Sequence, residues 1–377
     1  MKLVIAGGVG EHGRNCFYVE NGSISFILDC GIMAGTDAPF PYLSGEQIKQ
    51  AQYLFISHSH KDHTGAYGWL IENGFCGQVI LSEETFKQLE FHMKDTIFID
   101  ELAEPLKQIF FEDGLKVTWG HAGHCLGSVW YLVEIHGKTL LYTGDYIEDT
   151  LVYRVDPIRG ISADQVIIDA AYGENQTTPM EYRTSLFKAI SDLLTVTDTI
   201  LLPVPKYGRN LELLLFLAQD FPDVSFYGDT FLIKELERFW EAKAWLKPEG
   251  LSNLQKISES IKPIKNGVKG FLFLSDPQLK QESCHKTAIN VLSDNGKIVL
   301  TGGTDTGSFS KNLLNGNEAV LCRYAVHQNN QDVETLKREN NFKEIIPFHQ
   351  SLPPSRCNIS KSVFNYTTLE KQGSKSK

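Results

Sequence analysis

Residues 57 to 65 read Ser-His-Ser-His-Lys-Asp-His-Thr-Gly, directly after the apolar run Tyr53 to Ile56. Three histidines (His58, His60, His63) and Asp62 therefore crowd into one turn at the end of a predicted strand. Such a turn has no apolar face that could hold them as core residues, and a surface loop rich in histidine by chance is the weaker alternative. Imidazole and carboxylate are the usual zinc ligands, and a tight turn puts alternate side chains on one side. The fold must then be one that ends its strands on a metal site. Two more turns offer donors: Gly120-His121-Ala122-Gly123-His124 and Tyr142-Thr143-Gly144-Asp145. Either alone says little, since a Thr-Gly-Asp turn is common and a lone His124 could serve structure only. Beside the histidine cluster they complete a plausible cage.

The 377 residues suffice for one large domain or two intimate ones, and the 42% hydrophobic and 22% charged content is ordinary for a globular chain. The first third alternates strand candidates (Leu3 to Ile5, Ile24 to Leu28, Val79 to Leu81, Val129 to Ile135, Thr139 to Thr143, Gln165 to Ile168) with short helices. Those helices are expected at Gly65 to Glu72 and from an N-cap at Ser82 as far as Met93. From about Thr178 the rhythm changes to longer helices and continuous apolar strands: Thr199 to Val204, Phe271 to Leu274, Lys297 to Leu300. That is the pattern of a buried parallel sheet. A helix is expected from Gly208 to Gln219, and Val320 to Pro347 returns to strand ends bearing histidine. The final EKQGSKSK is expected to be disordered.

Seven scattered cysteines without a CxxC pair point to a reducing compartment, the cytoplasm. No apolar run has membrane-spanning length, and MKLVIAGG reads as a first strand and not as a signal peptide. The net charge of −10 sits awkwardly with a nucleic-acid substrate, although potential along a cleft matters more than the total.

The motifs resemble those of the metallo-β-lactamase superfamily. HSHKDH is similar to its HxHxDH signature, Asp29 in Leu28-Asp29-Cys30-Gly31 to the strand-end aspartate before it, and His124 and Asp145 to its third and fourth motifs. Other segments resemble the β-CASP nucleases, among them ribonuclease J and the pre-mRNA 3′-end endonuclease. Gly7 to Asn15 looks like their opening loop. Asp169 resembles acidic motif A, Pro203 to Arg209 their Pro-x-x-x-x-Gly-Arg segment, His327 motif B and His349 motif C. The departures are Asp169 where glutamate is usual, Gln328-Asn329 after motif B, Gln350 after motif C, and Asp305 in the glycine loop Thr301 to Asp305.

The resemblance implies an α/β fold, a metallo-β-lactamase αββα sandwich over residues 1–176 and 322–377 with a β-CASP insertion at 177–321. It implies two zinc ions. One would be held by His58, His60, His124 and Asp145, the other by Asp62, His63, Asp145 and His349. Asp29 would fix the loop carrying the ligands. Two such metals would activate a shared water for in-line attack on a phosphodiester. His327 would act as general acid on the leaving 3′ oxygen, with Asp169 orienting it and Asp62 completing the catalytic set, to leave a 5′ phosphate and a 3′ hydroxyl. Single-stranded RNA is the expected substrate, with DNA possible, because the DNA-repair branch usually has an aliphatic residue where this chain has His349. Arg14, Lys206, Arg209 and Lys311 could hold the backbone, although a solvated surface charge is an equally good reading of each. No role falls to His12, His92, His121, His136 or His285. The extra C-terminal domain of ribonuclease J is not expected, so its mode of oligomerisation does not carry over. The rival readings are a small-molecule hydrolase, which would lack the inserted block, and a non-catalytic paralogue, which should show broken ligands.

Overall fold

A computed structural model describes residues 1–350, so the expected polar tail at Glu370 to Lys377 lies outside the described residues. The first sheet has the order β1 (Lys2–Gly7), β2 (Cys16–Asn21), β3 (Ile24–Leu28), β4 (Tyr53–Phe55), β5 (Gln78–Leu81), β6 (Thr96–Phe98). It is antiparallel as far as β3 and parallel beyond it. A second sheet starts with an antiparallel meander of β7 (Gln108–Phe110), β8 (Leu115–His121), β9 (Val129–Ile135) and β10 (Lys138–Tyr142). Strand β11 (Ser162–Asp169) then adds in parallel.

The chain now leaves to build a third sheet, whose strands all run parallel. They are β12 (Thr199–Pro203), β13 (Phe226–Gly228), β14 (Lys262–Pro263), β15 (Gly270–Leu274), β16 (Lys297–Leu300) and β17 (Ala319–Leu321), arranged β14-β13-β15-β12-β16-β17. Only after β17 does it return to the second sheet, as β18 (Asn341–Phe348), parallel to β11 and outermost.

Side-chain alternation explains the layers. On β3, Phe26 and Leu28 face the second sheet's Val133, Tyr131 and Tyr142, while Ile27 turns to the helical layer with Ile48 and Leu70. The second sheet does the same, with Val166 and Ile168 under the helix that carries Val333 and Leu336. Both faces of each central strand are covered, which is why they read as continuous apolar runs. A fully buried Leu, Ile or Phe is worth about 1.5–3 kcal/mol against exposure, and a one-residue slip would move each to the wrong layer, so register is firmly set. The result is an αββα sandwich with a third, parallel sheet inserted between β11 and β18.

Local differences from the sequence reading have physical causes. The helix expected at Gly65 to Glu72 is two short ones, Lys61–Thr64 and Tyr67–Glu72, because Gly65 ends the first. Ser82 does cap a helix, but it stops at Gln88, where Leu89 turns extended and the Gln88 amide bonds the Leu126 carbonyl. Strands β2, β6, β7, β8, β13 and β14 escaped the reading. The glycine at position 31 is dictated by crowding, since a Cβ there would come within 1.6 Å of the Asp62 carbonyl oxygen.

One buried carboxylate ties the inserted sheet's helix Arg209–Asp220 to both of its neighbours. Glu212 accepts from the Leu151 and Val152 amides, the Thr150 hydroxyl and the Tyr324 hydroxyl. Losing it strands three buried donors and the half-buried Leu151 amide, each buried one costing about 1–3 kcal/mol when left unmade. Glu212→Ala is expected to lower stability by more than about 3 kcal/mol in urea unfolding; a loss below 1 kcal/mol would mean that the seam is held elsewhere.

Candidate metal centre

The carboxyl ends of five strands deliver the side chains singled out above. Asp29 follows β3, the His58 to His63 turn follows β4, Asp145 follows β10, Asp169 ends β11 and His349 follows β18. His124 comes from the turn joining β8 to β9, and His327 from the segment leaving β17. The backbone is bent to place them: Asp29 and His349 both sit at positive φ (54° and 66°), an uncommon conformation for residues other than glycine.

Three overlapping donor groups result among the described residues: His58, His60, His124 and Asp145; Asp62, His63 and His349; and Asp145 with Asp169, His327 and His349. In the first, His58 Nε2 lies 3.0 Å and His124 Nε2 3.2 Å from His60 Nδ1, with Asp145 Oδ2 at 3.5 and 3.6 Å from the outer two. All four donors fall within 4.8 Å of one another. In the second, Asp62, His63 and His349 converge, and Asp145 Oδ1 lies 3.2 Å from His63 Nε2 and 3.1 Å from His349 Nδ1.

Outer contacts aim these rings. Asp29 is fully buried and accepts from His63 Nδ1 at 2.6 Å, from the Ser57 amide and hydroxyl, and from the Tyr142 hydroxyl. That bond leaves His63 Nε2 for the centre, and His124 is turned likewise by giving its Nδ1 proton to the Val326 carbonyl at 2.9 Å. His327 Nδ1 lies 3.1 Å from Asp169 Oδ2, and its ring sits 4.7 Å from that of His124 and 5.0 Å from that of His349.

The electrostatics split the imidazoles into two kinds. Burial holds His58 and His124 well below the usual histidine value and lowers His60, so their lone pairs are free at neutral pH. His63 and His349 go the other way. Burial opposes their charge, but Asp145 and Asp62 facing both rings hold them well above the usual value. Burial likewise opposes the Asp145 charge, yet His63, His349 and His327 hold it well below the carboxylate range. Three imidazole nitrogens converge at 3.0–3.2 Å, and one proton on His60 Nδ1 could serve only one of its two neighbours, so lone pairs are left facing one another. This donor set fits divalent cations, with Asp145 shared.

Two residues beside the site went unassigned in the sequence. Asn15, fully buried, brings Nδ2 to 2.9 Å from His63 Nε2 and 3.4 Å from Asp62 Oδ2. Its place in the opening loop was the available signal. The His12 ring stands 5.4 Å from that of His349 at the mouth of the site. His121 instead bonds Asp156 at 2.6 Å and packs on Trp245. Of the cations considered, Arg14 pairs with Glu11 and Lys206 with Glu90, so both are engaged. Lys311 lies in the helix Phe309–Asn315. Asp305 pairs with Lys280 at 2.7 Å, which offsets the acid in the glycine loop.

The profile of the Metallo-beta-lactamase superfamily matches residues 9–204, slightly over half of the chain and inclusive of every donor but His349. The chain belongs to the metallo-β-lactamase superfamily. Among similar curated proteins is the endoribonuclease ysh1 of Aspergillus fumigatus, 24% identical over 95% of this chain and 48% of that protein. The probable RNase MJ4 of Methanocaldococcus jannaschii is 28% identical over 80% of the chain and 72% of its own length. Cleavage and polyadenylation specificity factor 73 of Drosophila melanogaster is 29% identical over 58% and 36%. The chain spans about half the length of the fungal relatives it matches. The β-CASP resemblance read from the sequence agrees with these relatives. No described helix is long and apolar enough to cross a membrane.

Without metal, His63 and His349 of this metallo-β-lactamase-fold chain keep protons that Asp145 and Asp62 hold in place. A raised pKa contributes stability that is complete below the unfolded imidazole value, about 6.5, and is lost as pH rises through the folded value. His58, His60 and His124, being lowered, add their pH dependence only below that value. Chelator-treated protein is therefore expected to lose several degrees of melting temperature between pH 6.5 and 9. Zinc should abolish the loss by replacing the protons. A melting temperature that climbs with pH over that interval in chelator would contradict this assignment of charges.

Proposed function

We propose that the chain is a zinc-dependent phosphodiesterase that hydrolyses single-stranded RNA, with two metal ions sharing Asp145. His58, His60 and His124 complete one site, and Asp62, His63 and His349 the other. The observation that carries the reading is the pair of donor groups meeting at one buried carboxylate, with the His327–Asp169 pair alongside and facing the same space. The relatives' designations as endoribonuclease and probable RNase support RNA as the substrate. The reading takes residues 1–176 and 322 onward as the metal-binding sandwich and 177–321 as the β-CASP insertion. The free cysteines among the described residues are compatible with a cytoplasmic setting.

When bound, the metals would supply a water whose pKa falls to about 7 and positive charge for the phosphate oxygens. The rest falls to the protein. Asp29 and Ser57 fix the rings that hold the ions. Asp169 accepts the Nδ1 proton of His327, so Nε2 is the atom left to meet the substrate. With that ring only slightly open to solvent, His327 is placed to give a proton to the leaving 3′ oxygen as the bond to phosphorus breaks. The products would carry a 5′ phosphate and a 3′ hydroxyl.

His327→Ala is expected to keep both zinc equivalents while turnover falls by about 10²–10⁴. His327 and Asp169 also form a donor group with Asp145 and His349, so release of a zinc equivalent by this variant would exchange the roles of His327 and His349. The activity itself is tested on matched single-stranded RNA and DNA oligonucleotides, with a cephalosporin and a simple lactone as controls. RNA should turn over fastest. Faster cleavage of DNA would move the chain to a DNA-directed role, and turnover of the small substrates alone would discard the nuclease reading.

A further inference from the structure

The chain has 36 basic and 46 acidic side chains, so its cations should find acids easily. Arg14, Arg159 and Arg183 do. Among the described residues Arg154, Arg238 and Arg338 show no ion pair, but they are exposed and water serves them. Arg209 and Arg323 fit neither case: both are partly withdrawn from solvent, and no acid pairs with either among the described residues.

Arg209 opens the helix Arg209–Asp220, just after Gly208, whose Cβ position lies 2.9 Å from the carbonyl oxygen of His124. Its Nε is shut off from solvent and has no hydrogen-bond partner. The guanidinium lies flat enough on the glycine loop that a Cβ on Gly302 would come within 2.0 Å of Nη1, whereas Gly303 beside it faces open space. Burial works against the Arg209 charge, the Tyr172 hydroxyl supports it, and the like charge of Arg323 opposes it again. Arg323 stands with its guanidinium carbon 4.9 Å over the Tyr172 ring. That ring in turn meets His327 edge-on at 5.6 Å, and its hydroxyl accepts from the Val326 amide. Two guanidinium groups thus gather around one tyrosine, a single side chain away from His327.

Keeping like charges together and half-buried without an acid is unfavourable unless an anion completes them. The guanidinium fork suits phosphate oxygens, and a glycine at 302 is what lets Arg209 reach this position. We propose that Arg209 and Arg323 form a subsite for a substrate phosphate, the one next to the scissile phosphate on the side of the leaving 3′ oxygen. The direction follows from His327, and so the inference rests on the proposed function. If His327 protonates that oxygen, the nucleotide beyond it lies toward Tyr172, and its 5′ phosphate is the next anion along the strand.

The test uses single-stranded RNA oligonucleotides carrying one uncharged methylphosphonate linkage, moved stepwise along the strand. Binding is read by fluorescence anisotropy in zinc-loaded protein carrying His327→Ala, with and without Arg323→Ala, Arg323→Lys or Arg209→Lys. Cut positions are mapped separately with the unmodified protein. Neutralising the linkage 5′ to the nucleotide that bears the leaving oxygen should weaken binding about tenfold or more, since charged hydrogen bonds are lost. In Arg323→Ala the same replacement should cost less than about twofold, and Arg323→Lys should recover part of the sensitivity. A merely structural arginine would weaken all oligonucleotides alike and leave the linkage profile unchanged. RNA that is cut but shows an unchanged profile, or a sensitive linkage on the other side of the cut, overturns this inference and leaves the proposed function standing. A shifted profile in a protein that cuts no RNA upholds the anion subsite and overturns the proposed function.

Discussion

Asp145 lies between the donors His58, His60 and His124 on one side and His63 and His349 on the other, and the rest of the site is arranged around its two oxygens. One oxygen faces His58 and His124, the other His63 and His349, and almost none of the carboxylate is open to water. A buried carboxylate among imidazoles, several without protons, is a costly arrangement in isolation. Divalent cations reverse that balance, because they turn converging lone pairs from a liability into ligation. The fold serves this one constraint. Parallel strands β3 and β4 in one sheet, and β10, β11 and β18 in the other, all end toward the same space, so five strand ends can each supply a side chain.

Much of this was legible in the sequence, and the reason is local. His58 to His63 lie in one turn, so their spacing alone announces a metal site, and apolar runs such as Ile24 to Leu28 and Val129 to Ile135 are strands as written. What the residues alone did not reveal is non-local. His349 meets Asp62 and Asp145 only because the chain leaves the second sheet after β11 and returns through β18, and Asp169 meets His327 across the same excursion. Those pairings were read from motif order, through the family resemblance. Asn15 was left without a role although it closes the opening loop, because its contact with His63 forms only when that loop folds under the ring, and Arg323 carries no signal until the segment after β17 lies over Tyr172. Strand β2 was passed over although Cys16 to Val19 is apolar, since the glycines before it suggested a loop.

The charge distribution resolves the tension in the composition. A net charge of −10 argues against nucleic acid only if it is spread evenly over the surface, and here it is not. Arg14 and Lys206 are paired with acids, Asp305 is matched by Lys280, and the two half-buried guanidinium groups without acids, Arg209 and Arg323, stand beside Tyr172 and the centre. Metals and two arginines can hold a phosphate chain locally while the outer surface repels it, which should make binding less sensitive to salt than in a basic protein.

The claim on which everything else depends is that Asp145 joins two metal sites. Elemental analysis of protein purified without chelator, alongside Asp145→Asn and His60→Ala, tests it directly. The account predicts close to two zinc equivalents in the unmodified chain, loss of both in Asp145→Asn, and loss of one in His60→Ala. A folded, unmodified protein without metal, or an Asp145→Asn variant that retains both equivalents, would contradict it.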